Sequence, residues 1–135
     1  MKQTKNITPT NMVCICCPLG CSLTIIKSDN EWLVTGNKCL RGKKYAAEEM
    51  TAPKRVVTST VKIAGGLYPM IPVKTEQPIP KEKIFTIMNI LASVRAVAPI
   101  TMGDIVIKNV ADTGVNVVAT KTDKGMPFWF CHPRA

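Results

Sequence analysis

The sequence predicts a small α+β protein. A cysteine-rich N-terminal module of loops and one β-hairpin precedes an α+β segment with one main helix and short strands. Three observations predict this. Five of the six cysteines fall within residues 12–50. β-Branched runs of strand length recur on both sides of residue 54. In Lys81–Arg95, the residues Ile84, Ile87, Met88, Leu91 and Val94 recur at helical spacing. With 135 residues, 46% of them apolar, the chain can bury a core and has room for one domain or two very small ones. That length excludes a complete dehydrogenase carrying its own dinucleotide domain.

Residues 1–11 are polar and read as a loose, flexible N-terminus, and residues 12–53 as a cysteine-rich metal- or cluster-binding module. Within that module Ser22–Lys27 and Glu31–Gly36 read as strands, with Ser28-Asp29-Asn30 as the turn between them. Lys43–Met50 is rich in Ala, Glu and Lys and predicts a short helix. Pro53 biases Ala52 away from helix and ends it.

Residues 54–122 read as an α+β domain. Arg55–Ile63 is a β-branched run and predicts one strand. Ala64-Gly65-Gly66 is a turn. Leu67–Thr75 is a partner strand that Pro69 and Pro72 should confine to an edge or an irregular loop. Pro80 suits the first turn of the main helix, as does Glu82 near the positive end of its dipole. Pro99 stops any continuation. Asp104–Lys108 and Val115–Thr120 predict a second hairpin around Asp112-Thr113-Gly114. Residues 123–135 are a tail, with Phe128-Trp129-Phe130-Cys131-His132 near its end. Met70, Met88 and Met102 are expected to pack rather than to ligate.

Residues Asn6 to Ile26 form a charge-free run of 21 residues. Two prolines, a glycine and many hydroxyl and amide side chains make it too polar and too broken for a transmembrane helix. No compact apolar segment of the signal-peptide kind is present. A cytoplasmic protein without membrane insertion is expected, and there clustered cysteines serve as metal or redox groups more often than as disulfides. The net charge is +9, from 18 basic and 9 acidic residues. Residues 1–55 carry 9 basic and 4 acidic groups, and residues 56–135 carry 9 and 5, so the charge is spread evenly. No basic stripe interleaved with aromatics appears, which argues against nucleic acid as a partner. Docking on an acidic patch of a redox partner uses the same charge.

The chemistry lies in the cysteine spacing. Cys14, Cys17, Cys21 and Cys39 give C-x2-C-x3-C-x17-C. Three thiols on a tight loop, with a fourth returning beyond a hairpin, can surround a compact ion or cluster. Pro18 and Gly20 help that loop bend. Four thiolates suit an iron–sulfur cluster or a structural zinc. Cys39 has no cysteine neighbour, unlike the paired ligands of a zinc ribbon. Cys16 and Cys131 fall outside the pattern. The order C-x2-C-x3-C is the reverse of the loop used by radical enzymes that employ S-adenosylmethionine. The sole histidine, His132, leaves no Ser/His/Asp arrangement for hydrolysis.

The stretch from Cys14 to Gly42, with Gly20 before Cys21, Gly36-Asn37, and Cys39-Leu40-Arg41-Gly42, resembles the N-terminal iron–sulfur domain of molybdopterin oxidoreductases of the formate dehydrogenase type. That resemblance implies a [4Fe–4S] cluster on Cys14, Cys17, Cys21 and Cys39, with Arg41 and Gly42 beside it. The rest of the chain is too short to hold a pterin, so that enzyme activity does not carry over. Cys14 to Cys21, Val34 to Gly42, Thr58 to Val61 and Ala98 to Val118 resemble a small uncharacterised bacterial and archaeal family of four-cysteine, CxxC motif-containing proteins. Such proteins tend to be encoded beside FAD-dependent dehydrogenases similar to anaerobic glycerol-3-phosphate dehydrogenase. The resemblance implies an electron-transfer or accessory subunit of an oxidoreductase, not a catalyst by itself. A cluster of four thiolates on a [4Fe–4S]²⁺ core is anionic, so Arg41 is expected to stabilise it and raise its potential. Two other classes stay open: a zinc-stabilised interaction module, and a thiol redox protein using Cys14 and Cys17, which lacks the strand–helix context of a thioredoxin.

Overall fold

A computed structural model describes residues 8–29 and 31–127. The fold is α+β and divides into two compact units, Met1–Pro53 and Lys54–Ala135.

In the first unit, strands β1 (Thr10–Val13), β2 (Ser22–Ser28) and β3 (Glu31–Thr35) form an antiparallel sheet in that order. Alternation sets the buried face: Leu23 and Ile25 of β2 and Val34 of β3 point inward. Helix α1 (Leu40–Thr51) lies against β2 and β3 and buries Gly42 and Ala46, four residues apart on one face. Cys14, Leu23, Ile25, Val34 and Ala46 make the core. The N-terminus read as loose is corrected at Thr10 and Asn11, which pair with Ile25 and Thr24. Those partners lie thirteen or more residues away in sequence, so local pattern did not signal the strand.

The second unit is built on a five-stranded sheet ordered β8-β5-β6-β10-β9. Its strands are β5 (Thr58–Ala64), β6 (Met70–Thr75), β8 (Arg95–Val97), β9 (Ile105–Ile107) and β10 (Val117–Ala119). A two-stranded ribbon joins β4 (Lys54–Arg55) to β7 (Ile79–Pro80). A 3-10 turn, Lys81–Lys83, leads into helix α2 (Ile84–Ser93). Ile87 and Leu91 of α2 pack onto the sheet's inward residues Val61, Ile63, Ile71 and Val73. Burying one such aliphatic side chain contributes about 1.5–3 kcal/mol.

Several readings are corrected here. The single strand expected over Arg55–Ile63 is two, β4 and β5, interrupted at Val56 and Val57. At Val57 the backbone turns to a polar partner: its N–H donates to Thr75 Oγ1 at 3.0 Å, and the Thr75 N–H donates to its carbonyl at 2.8 Å. That exchange satisfies the buried Thr75. Strand β6 is central, not an edge, despite Pro72. The Pro72 carbonyl faces Thr120 and accepts from its N–H at 2.9 Å. Its missing N–H faces that same side, one residue beyond the last β6–β10 pair, Val73 with Ala119, so the only ladder bond forgone is the reciprocal one to the Thr120 carbonyl, at the end of the β10 pairing. Met70, Met88 and Met102, read as packing residues, are exposed. The segment read as a tail begins inside this unit. Asp123 exchanges backbone hydrogen bonds with Ile100 at 2.8 and 2.9 Å, and the Met126 N–H donates to the Gly65 carbonyl at 2.8 Å. Cys131 and His132 lie outside the described residues. Among the described residues no helix is long and apolar enough to cross a membrane.

Candidate functional site

The cysteine loop, residues 14–21, joins β1 to β2. It is pinned at its mouth by the Cys14 N–H donating to the Cys21 carbonyl at 2.8 Å. A second bond, Gly20 N–H to the Cys17 carbonyl at 3.5 Å, marks the tight turn through Pro18 and Leu19. Gly20 has φ +57°, a conformation that favours glycine. Cys14 is buried in the core, Cys17 and Cys21 are half-buried, and Cys16 is exposed.

The fourth predicted ligand arrives by a different route. After β3, Gly36 turns the chain at φ +83°. A Cβ there would run into the Ser22 carbonyl oxygen, so only glycine lets this turn pass so close to the start of β2. Asn37 Nδ2 donates to the Cys39 carbonyl at 3.1 Å. Cys39, in extended conformation (φ −151°, ψ 165°), is the N-cap residue of α1. The backbone N–H of Gly42, then that of Arg41, pulls the Cys39 thiol below its ordinary range, and the Arg41 guanidinium adds to this.

Gly42 joins loop and helix. A Cβ on Gly42 would lie 3.3 Å from Asn37 Cβ and 3.6 Å from Cys14 Sγ. Its role here is spacing: the bare backbone lets the first turn of α1 approach the Cys14 sulfur. Cys16 is also drawn in. Its Sγ faces the Arg41 carbonyl at 3.9 Å. Loss of water around its thiol, then the neighbouring Cys14 thiol, pushes its pKa up, with Cys39 adding a smaller push. Cys14, Cys16, Cys39, Arg41 and Gly42 therefore share one locality. Cys16, outside the four-cysteine spacing, also lies here; its only sequence signal is adjacency to Cys17.

The chain's donors are soft thiols, all free among the described residues. Among those residues no group of three or more His, Cys, Asp or Glu side chains is set to hold a metal ion. Thiols are the donor type that soft metals take, but the contacts described above bring together Cys14, Cys16 and Cys39 and do not place Cys17 or Cys21 beside them.

Fold and site together define a two-unit α+β protein whose N-terminal unit carries free thiols on a short loop and at the head of a helix. The chain belongs to the family described as Protein of unknown function (DUF1667), which matches residues 40–121. The match begins one residue after Cys39, so the Cys14–Cys21 loop lies outside it. The chain is also similar to the NMR structure of Clostridium perfringens protein CPE0013, with 28% identity and a TM-score of 0.51. That likeness covers 61% of this chain and 98% of the other. No curated protein matches the chain.

Proposed function

We propose that the N-terminal unit binds an iron–sulfur cluster through Cys14, Cys17, Cys21 and Cys39. The chain would then act as an electron-transfer or accessory subunit working with an FAD-dependent dehydrogenase. One observation supports this reading: the head of α1, with Cys39 at its N-cap, lies against the cysteine loop, where the Cys16 Sγ faces the Arg41 carbonyl at 3.9 Å and the Gly42 backbone stands close to the Cys14 Sγ. Thiolate is the ligating form. When bound, a [4Fe–4S] cluster supplies one-electron redox chemistry. The residues' own part is to present thiolates, to keep Cys14 away from water, and to set the Arg41 charge beside an anionic centre. Gly42 keeps the helix head close, and Asn37 orients the Cys39 backbone.

A second reading, a zinc-stabilised interaction module, draws support from the small first core of Cys14, Leu23, Ile25, Val34 and Ala46. A core that small benefits from a metal crosslink, and zinc supplies one without redox chemistry.

The test is anaerobic reconstitution of the full chain with iron and sulfide. Broad visible absorption is expected, lost in Cys17→Ser and Cys39→Ser and kept in Cys16→Ser. A colourless wild-type chain removes the iron–sulfur reading. An unchanged Cys17→Ser spectrum removes Cys17 from the ligand set.

A further inference from the structure

The end of the first unit that carries the cysteines differs from its opposite end in charge and in polarity. Residues 10–28 and 32–47 contain no Asp or Glu. Of the acids in this unit, Asp29 and Glu31 lie at the far tip of the β2–β3 hairpin, roughly 15–20 Å along the strands from the loop. Glu48 and Glu49 lie in the later turns of α1, about 13 Å along its axis from Cys39. At the near end stand Lys38, Arg41, Lys43 and Lys44, joined by the positive end of the α1 dipole. Lys44 forms an exposed ion pair with Glu48 at 3.8 Å.

Three large aliphatic side chains rise through this basic field. Ile15 is 72% exposed, Leu19 70% and Leu40 82%. Ile15 and Leu40 are chain neighbours of cysteines in that locality, and Leu19 stands in the same loop between Cys17 and Cys21. Apolar groups of that size left in water around a charged rim mark an interaction surface.

We infer that this face, built from the Cys14–Cys21 loop and the head of α1, docks a partner protein whose matching surface is acidic around an apolar centre. Basic charge at the rim would steer the encounter, and Ile15, Leu19 and Leu40 would exclude water at its middle. An anionic membrane meets the same charge, and vesicle binding is therefore one outcome of the test. The inference rests on the electron-transfer reading only for its choice of partner: the surface that docks is the one that brings the thiols nearest to the partner.

The test measures binding of the anaerobically purified full chain to the FAD-dependent dehydrogenase proposed above, held on a sensor surface. Lys38→Glu combined with Lys43→Glu is expected to weaken binding about tenfold or more at low salt. The deficit should close at about 400 mM salt, where charges beyond a few ångströms are screened. Leu40→Asp should weaken binding at both salt levels, while an acid at the first helical position suits the dipole and leaves α1 folded. Lys81→Glu, in the second unit, should change affinity by less than about twofold. Rim variants that bind like the unmodified chain overturn the inference. So does binding to phosphatidylglycerol vesicles with none to the dehydrogenase, and so does no binding to either. Iron and sulfide are assayed on every variant. A metal-free chain that still binds through this face overturns the cluster and leaves the docking surface standing.

Discussion

Gly36 and Gly42 lie six residues apart and act by different physics. Gly36 sits at φ +83° against the Ser22 carbonyl. Gly36→Ala adds both strain and a clash, and should cost about 1–3 kcal/mol in urea unfolding. Gly42 has a helical backbone, and an alanine there would gain about 1 kcal/mol of helix propensity. Its Cβ would crowd Asn37 Cβ and sit in van der Waals contact with Cys14 Sγ. Gly42→Ala should therefore leave stability within about 1 kcal/mol of wild type while lowering metal content. Asp123 is a third residue whose effect can be signed. Its carboxylate accepts from the N–H groups of Leu67, Gly125 and Tyr68, at 3.0, 2.8 and 3.4 Å, and these hold its pKa below the ordinary value. A depressed folded pKa means stability that is present above the unfolded pKa of about 3.9 and lost as pH falls through the folded one. Asp123→Asn should lower the melting temperature at neutral pH and flatten its fall at acid pH. An acid limb as steep as wild type's would refute that account.

At the scale of elements, α2 shows how far periodicity reaches. Ile84, Ile87, Met88, Leu91 and Val94 share one apolar stripe in sequence, yet Ile87 and Leu91 are buried while Met88 is exposed. Ile87→Ala should cost about 2–5 kcal/mol. Met88→Ala should stay within about 0.5 kcal/mol. A stripe locates the face of a helix, but the neighbouring sheet decides which of its rows is covered. The hairpins β2–β3 and β9–β10 were legible because turn chemistry and alternation are local. Strands β1 and β8 were not. Each is short, and each exists through pairing with a strand distant in sequence. Strand β6 is central despite its proline because Pro72 sits where the β10 pairing ends, a position that the sequence of β6 does not reveal. For the site, the spacing of Cys14, Cys17, Cys21 and Cys39 named the candidate donors. Packing was needed to show that Gly42 acts as a spacer and that Cys16 shares the locality.

For the whole molecule, the two units have separate cores of unequal size: among the described residues, five buried residues in the first and thirteen in the second. A bound metal would then matter most to the stability of the first. Removing it with a chelator should strip hydrogen-exchange protection from β2, β3 and α1 and leave that of β5, β6 and β10 in place. Equal loss in both units would show that the second depends on the site as well.

The central claim is that the thiols of the first unit hold an iron–sulfur cluster. The most direct measurement is iron, zinc and acid-labile sulfide analysis of the chain purified without oxygen, with its visible spectrum. The account predicts about four irons and four sulfides per chain, with absorption that bleaches on reduction. One zinc without sulfide, or a chain free of metal, would contradict it.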